Sequence, residues 1–135
     1  FVTKAGQANL YEIQSSKLAL KISRNPEVIT FAKEMIADHT KAETALKATA
    51  HTTRLYPPKV LDKDNKGKLK DLGKKGNDFD KAYINAQVDA HNDAVNLFTD
   101  YSKNGTEEHL KAFSIKTLPT LLTHKDHIDA LKAKL

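Results

Sequence analysis

At 135 residues, with 39% hydrophobic and 29% charged residues, the chain is the size of one ordinary domain spanning 1–135. That is enough to bury about two thirds of its unfolded surface. It has no cysteine, which excludes disulfides and thiolate metal ligands, and no run approaches the roughly 18–20 apolar residues of a membrane span. The net charge of +5 raises a nucleic-acid reading, but residues 59–75 alone carry seven lysines against three aspartates. Arginine occurs only at Arg24 and Arg54, and no aromatic residue interleaves the lysine run, so nucleic acid is not the expected partner. The run implies a solvated loop, or peripheral contact with an anionic surface such as lipid or another polyanion.

Residues 2–23 read as a first helix, with Ala5, Ala8, Glu12, Ala19 and Ile22 on one seam and Leu10, Ile13 and Leu20 beside it. Ser23–Glu27 then stops and restarts the chain: Asn25 caps, Pro26 suits the first helical position and Glu27 complements the helix dipole. The second helix runs from Pro26 to about Arg54, before Tyr56-Pro57-Pro58, where two prolines cannot continue it. Its seam is Val28, Ala32, Met35, His39, Ala42, Leu46 and Ala50, a helical period with a histidine in the middle.

Residues 55–76 form a connector with a short helix around Asn65 to Gly73. Asn77 or Asp78 caps a third long helix over about 79–103, whose seam is Ile84, Val88, His91, Val95 and Phe98. Asn104-Gly105 ends it, and Thr106-Glu107-Glu108 starts a fourth helix with Leu110, Thr117, Leu121, His124, Ile128 and Leu131 inward and Pro119 kinking it. Nothing alternates with period two, so the predicted fold is all-α: a four-helix bundle with a long connector between helices two and three.

Each helix thus brings one polar group to its seam: Glu12, His39, His91 and His124. Counted from the short turns, Glu12 and His39 fall at nearly the same height, while His91 and His124 are offset. Three neutral imidazoles and a carboxylate suit a borderline divalent cation, Zn²⁺ first, with Fe²⁺ or Mn²⁺ as alternatives. The competing readings are four separately satisfied polar core residues, or a metal-free hydrogen-bonded cluster in which Glu12 accepts from the histidines. His127 and Glu43 are secondary ligand candidates, and His51 and His109 read as surface residues. Ferritin-type di-iron sites need a Glu-x-x-His pair on each of two helices; here Ile36 and Leu121 hold the glutamate positions, so the residues allow a mononuclear site.

The chain also resembles a bacterial family of exported ferritin-like proteins catalogued as domain of unknown function 4142, whose members are often labelled outer-membrane proteins. The resemblance lies in Phe1-Val2, Asn9-Leu10-Tyr11-Glu12-Ile13, Asn25-Pro26-Glu27-Val28, Phe31-Ala32, Asp38-His39-Thr40-Lys41, Phe79-Asp80, Tyr83, Gln87-Val88 with Ala90-His91, and Thr117-Leu118-Pro119-Thr120-Leu121 with His124. It implies a signal peptide or lipoprotein segment ahead of Phe1, a periplasmic or outer-membrane-associated location, and a ferritin-like crossover that makes helices two and three parallel. It implies no activity, and residues 55–75 are richer in lysine than its pattern. The expected function is extracytoplasmic metal binding or buffering. A metal-dependent hydrolase or oxidase at the same residues, and a metal-free structural module, are the alternatives.

Overall fold

Capping chemistry sets the boundaries of the helices. In the computed structural model, which describes residues 1–135, α1 covers Val2–Ile22 and hands over to α2, Pro26–Thr52, through Ser23–Asn25. The Asn25 side chain accepts a hydrogen bond from the Glu27 amide at 2.9 Å, satisfying one of the amides a helix start leaves free. Beyond α2, Arg54 takes a left-handed φ of 61° and Pro57 and Pro58 follow, so the helix cannot resume. Asp62 caps the short α3, Lys63–Leu72, by accepting from Asn65 at 2.8 Å. A 3-10 turn, Gly76–Asp78, runs into α4, Phe79–Asn104, and the Glu107 carboxylate caps α5, Glu108–Ala133, by accepting from Leu110 at 2.7 Å.

The protein is therefore all-helical, with five α-helices and no strand. Two local expectations are corrected. Asp78 makes no side-chain cap bond, because the 3-10 turn already feeds the first turn of α4. Leu20 and Ile22 are not inward but 37% and 36% exposed. Tyr83 meets Ser16 about one turn after α4 begins, so the last turn of α1 has run past its partner. Gly105 is needed for close approach rather than for a left-handed turn. Its φ is −59°, and a Cβ there would lie 2.5 Å from the Tyr101 carbonyl.

Polar pairs between helices give directions and registers. Asn9 meets His39 across α1 and α2, Ser16 meets Tyr83 across α1 and α4, and Ser102 meets Ser114 across α4 and α5. Asp38 meets His124, and Glu27 meets Lys134, across α2 and α5. Across α2 and α5, and across α1 and α4 where Gln87 also meets Ser15, one number rises as the other falls, so these neighbours are antiparallel. The short turns reverse α1 into α2 and α4 into α5, and α2 therefore runs parallel to α4. The buried residues fall into two apolar clusters, one built on Phe31, Met35, Phe79, Tyr83 and Ile128 and the other on Leu46, Phe98, Leu110, Phe113 and Leu121. Between them lies a band of buried polar residues: Asn9, Glu12, Ser15, Ser16, His39, Gln87, His91 and His124.

Residues 55–76 cross the length of the long helices, which is why α2 and α4 can be parallel. Pro58 packs on Gly6 near the start of α1. The Gln7 amide donates to Val60 O at 3.0 Å and accepts from the Asp62 amide at 2.9 Å. At the far end Gly73 sits against Leu18. A Cβ on Gly6 would lie 2.6 Å from the Pro58 ring. Gly6→Ala is thus expected to lose up to about 2 kcal/mol net, because overpacking of about 1–3 kcal/mol is set against the roughly 1 kcal/mol that alanine gains in a helix. Protease cleavage within 55–62 should rise in parallel. Urea melts and limited digestion check this, and parent-like behaviour in both would show that the connector yields freely.

Candidate metal centre

The polar band is centred on three imidazoles from three helices. His39 of α2, His91 of α4 and His124 of α5 are 3%, 1% and 1% exposed. Their ring centroids are 6.0 Å (His39–His91), 5.3 Å (His39–His124) and 5.5 Å (His91–His124) apart. Each offers a ring nitrogen within 4.8 Å of the other two.

The outer partners of the rings decide which nitrogen carries the proton. His39 Nδ1 donates to Asn9 Oδ1 at 2.9 Å, His91 Nδ1 donates to the Gln87 backbone carbonyl at 2.8 Å, and His124 Nε2 donates to Asp38 Oδ2 at 2.7 Å. A neutral imidazole with one nitrogen donating keeps a lone pair on the other. Those other nitrogens, His39 Nε2, His91 Nε2 and His124 Nδ1, are buried without any hydrogen-bond partner. Burial, followed by the neighbouring His124 and His91, holds the His39 pKa well below the usual histidine value. Burial also brings His91 down to about 4. Both rings are therefore neutral at pH 7, the form that binds metal.

Beside His39 and His124 lies a cavity of about 20 Å³, also lined by Asn9, Asp38, Ala42 and Leu121. That volume holds one water-sized body. A much larger cavity, about 810 Å³ between α1, α3 and α4, is lined by none of the three histidines, so size alone does not locate this chemistry.

The structure brings together three of the four expected ligands. Glu12 is also buried, at 3% exposure, but it is not among the groups whose ligand atoms lie within 4.8 Å. The tight turn at Ser23–Asn25 sets Asn9, not Glu12, opposite His39. Glu12 sits three residues further along α1, about 4.5 Å of helix rise, beside Gln87. Burial raises its pKa to about 8, and the Gln87 side chain partly offsets the rise. Its Oε2 has no hydrogen-bond partner either. The offset between His91 and His124 is taken up at the α4–α5 turn, because the Ser102–Ser114 contact at 3.0 Å sets a register in which the two histidines are level.

The secondary candidates lie outside the trio. His127 is half-buried, bonds Glu34 through Nδ1 at 2.9 Å and stands edge-on to Phe31. Glu43 pairs with Lys47 at 3.3 Å, and His51 and His109 are exposed. Sequence reasoning assigned no role at the site to Asn9, Asp38, Gln87 or Glu34. Glu34 and Asp38, one turn apart on α2 and each about one third exposed, flank His124 and link it to solvent.

No curated protein and no solved structure matches the chain. The family model described as Domain of unknown function (DUF4142) matches residues 1–131, and the chain belongs to that family.

Proposed function

We propose that this protein binds one divalent metal ion per chain, Zn²⁺ first, through His39, His91 and His124. Glu12, one turn away, is the protein's own candidate for a fourth ligand. Fe²⁺ and Mn²⁺ fit the same donors if water or a bidentate carboxylate raises the coordination number. The scaffold is read as a single ferritin-like four-helix bundle of α1, α2, α4 and α5, supported by the antiparallel neighbours, the parallel α2 and α4, and the connector that spans their length. The location is read as periplasmic or outer-membrane-associated, which rests on the family resemblance alone.

One observation carries the metal reading. Three imidazoles, each with a ring nitrogen within 4.8 Å of the other two, bond an outer acceptor through one nitrogen and leave the other buried and unpartnered. A metal-free polar core would be expected to pair these atoms, since each unsatisfied buried group costs about 1–3 kcal/mol. Glu12 accepts no hydrogen bond from any of them, which speaks against a cluster held together by that carboxylate. A bound ion would be the shared partner of the three lone pairs, and it would supply Lewis acidity. Asp38, Asn9 and the Gln87 carbonyl would orient the rings and raise their basicity. Metal holding or buffering is favoured over hydrolase or oxidase activity because the adjoining cavity of about 20 Å³ leaves no room for a substrate larger than water.

Competition of untagged protein against a chromophoric zinc chelator tests the reading. The expected result is one zinc per chain, with affinity reduced about 10- to 100-fold in Asp38→Ala, which removes the acceptor that orients His124. Absence of stoichiometric zinc at neutral pH, or two irons per chain on loading with Fe²⁺, would refute it.

A further inference from the structure

We infer that residues 54–63 are a docking site for an anionic phospholipid bilayer, in which Tyr56 and Val60 enter the interface while Arg54, Lys59 and Lys63 meet the headgroups. Charge and exposure carry this independently of the metal centre. Residues 54–75 hold eight basic and three acidic side chains, which leaves fourteen of each for the rest of the chain. The whole net charge of +5 therefore sits on this one segment. All eight cations are exposed, and none makes an ion pair, whereas Lys47, Lys125 and Lys134 elsewhere are paired.

A solvated loop would explain the lysines but not their neighbours. Of the eight large hydrophobic side chains exposed on the molecule, three lie within 55–60: Leu55 at 46%, Tyr56 at 70% and Val60 at 65%. A tyrosine suits a lipid interface because its ring is apolar and its hydroxyl stays wet. Clustered lysines next to it add attraction to anionic headgroups. The segment is also held in place. Pro58 rests on Gly6, and Gln7 bonds both Val60 and Asp62, so little ordering entropy opposes docking. A soluble polyanion would use the cations but gain nothing from Tyr56 and Val60.

Sedimentation with vesicles of phosphatidylcholine, with and without phosphatidylglycerol, tests this, with heparin-agarose retention as the polyanion arm. The protein should sediment only with the phosphatidylglycerol vesicles, in chelator as well as with zinc, and release in about 1 M salt, where the screening length is about 3 Å. Lys59→Ala and Lys63→Ala should each weaken vesicle binding about fivefold. The paired substitution Tyr56→Ser with Val60→Ser should weaken it about tenfold while leaving heparin retention and the circular dichroism spectrum unchanged. Failure to bind phosphatidylglycerol vesicles at low salt would overturn the inference. Undiminished vesicle binding by the Tyr56→Ser, Val60→Ser protein would overturn it as well, since the lysines would then act by charge alone on any polyanion.

Discussion

Replacing His91 with leucine is expected to abolish most of the stabilisation that zinc gives the parent protein while leaving the metal-free form at least as stable. An ion at about a thousand times its dissociation constant stabilises the folded state by about 4 kcal/mol, a rise in Tm on the order of 10 °C or more for a chain of this size. The His91 side chain is 1% exposed with its Nε2 unpartnered, so leucine of similar volume removes a buried group that costs about 1–3 kcal/mol when unsatisfied. His39→Leu and His124→Leu should behave alike, except that each also strands an outer partner, Asn9 or Asp38. His51→Leu and His109→Leu, at exposed positions, should keep the parent's zinc response. Equal zinc-induced shifts in the parent and all five variants would remove the trio from the account.

The second large effect is on pH. In chelator-treated protein, burial opposes charge on both kinds of group, and the signs differ. A histidine whose folded pKa is lowered contributes stability that is present above about pH 6.5 and is lost as pH falls through the folded value. For His91, lowered to about 4, the loss between pH 6.5 and 4 is about 2–3 kcal/mol. Glu12, raised to about 8, does the opposite: its contribution is full below about pH 4.5 and disappears as pH rises through 8. Between pH 6.5 and 9 that amounts to about 2 kcal/mol. Urea melts of the parent should therefore show stability falling as pH rises from neutrality to 9. On the acid side the His91 loss is opposed by the continuing Glu12 gain, and His39, whose pKa burial also lowers, tips the balance to a net loss. Glu12→Gln should flatten the alkaline limb, and His91→Leu should make the acid limb shallower. A parent alkaline limb that survives unchanged in Glu12→Gln would show that Glu12 is already ionised at neutral pH.

The long helices were legible because their apolar period survives around the polar seam residues, and the three histidines because each sits on that period. The level of Glu12 was not legible by counting from helix ends, since a one-turn error in register is within the uncertainty of a turn. The better signal was in the sequence: Ala5, Asn9, Glu12, Ser16 and Ala19 share one helical stripe, which makes Asn9 an inward polar residue with a claim on His39. Gln87, one turn before His91, could have been found in the same way. Asp38 could not, because it sits beside His39 at the flank of the seam and meets His124 only once α2 and α5 are packed. The connector's path was likewise hidden, since its anchors are Gly6 and Gln7, residues that carry no apolar pattern.

The most direct test of the account is zinc-edge X-ray absorption on the untagged protein loaded with one equivalent of Zn²⁺ at neutral pH. Three imidazole nitrogens at about 2.0–2.1 Å are predicted, falling to two in His91→Leu if that variant still retains the ion. A shell of oxygens alone, or one histidine or none at the metal, would contradict it.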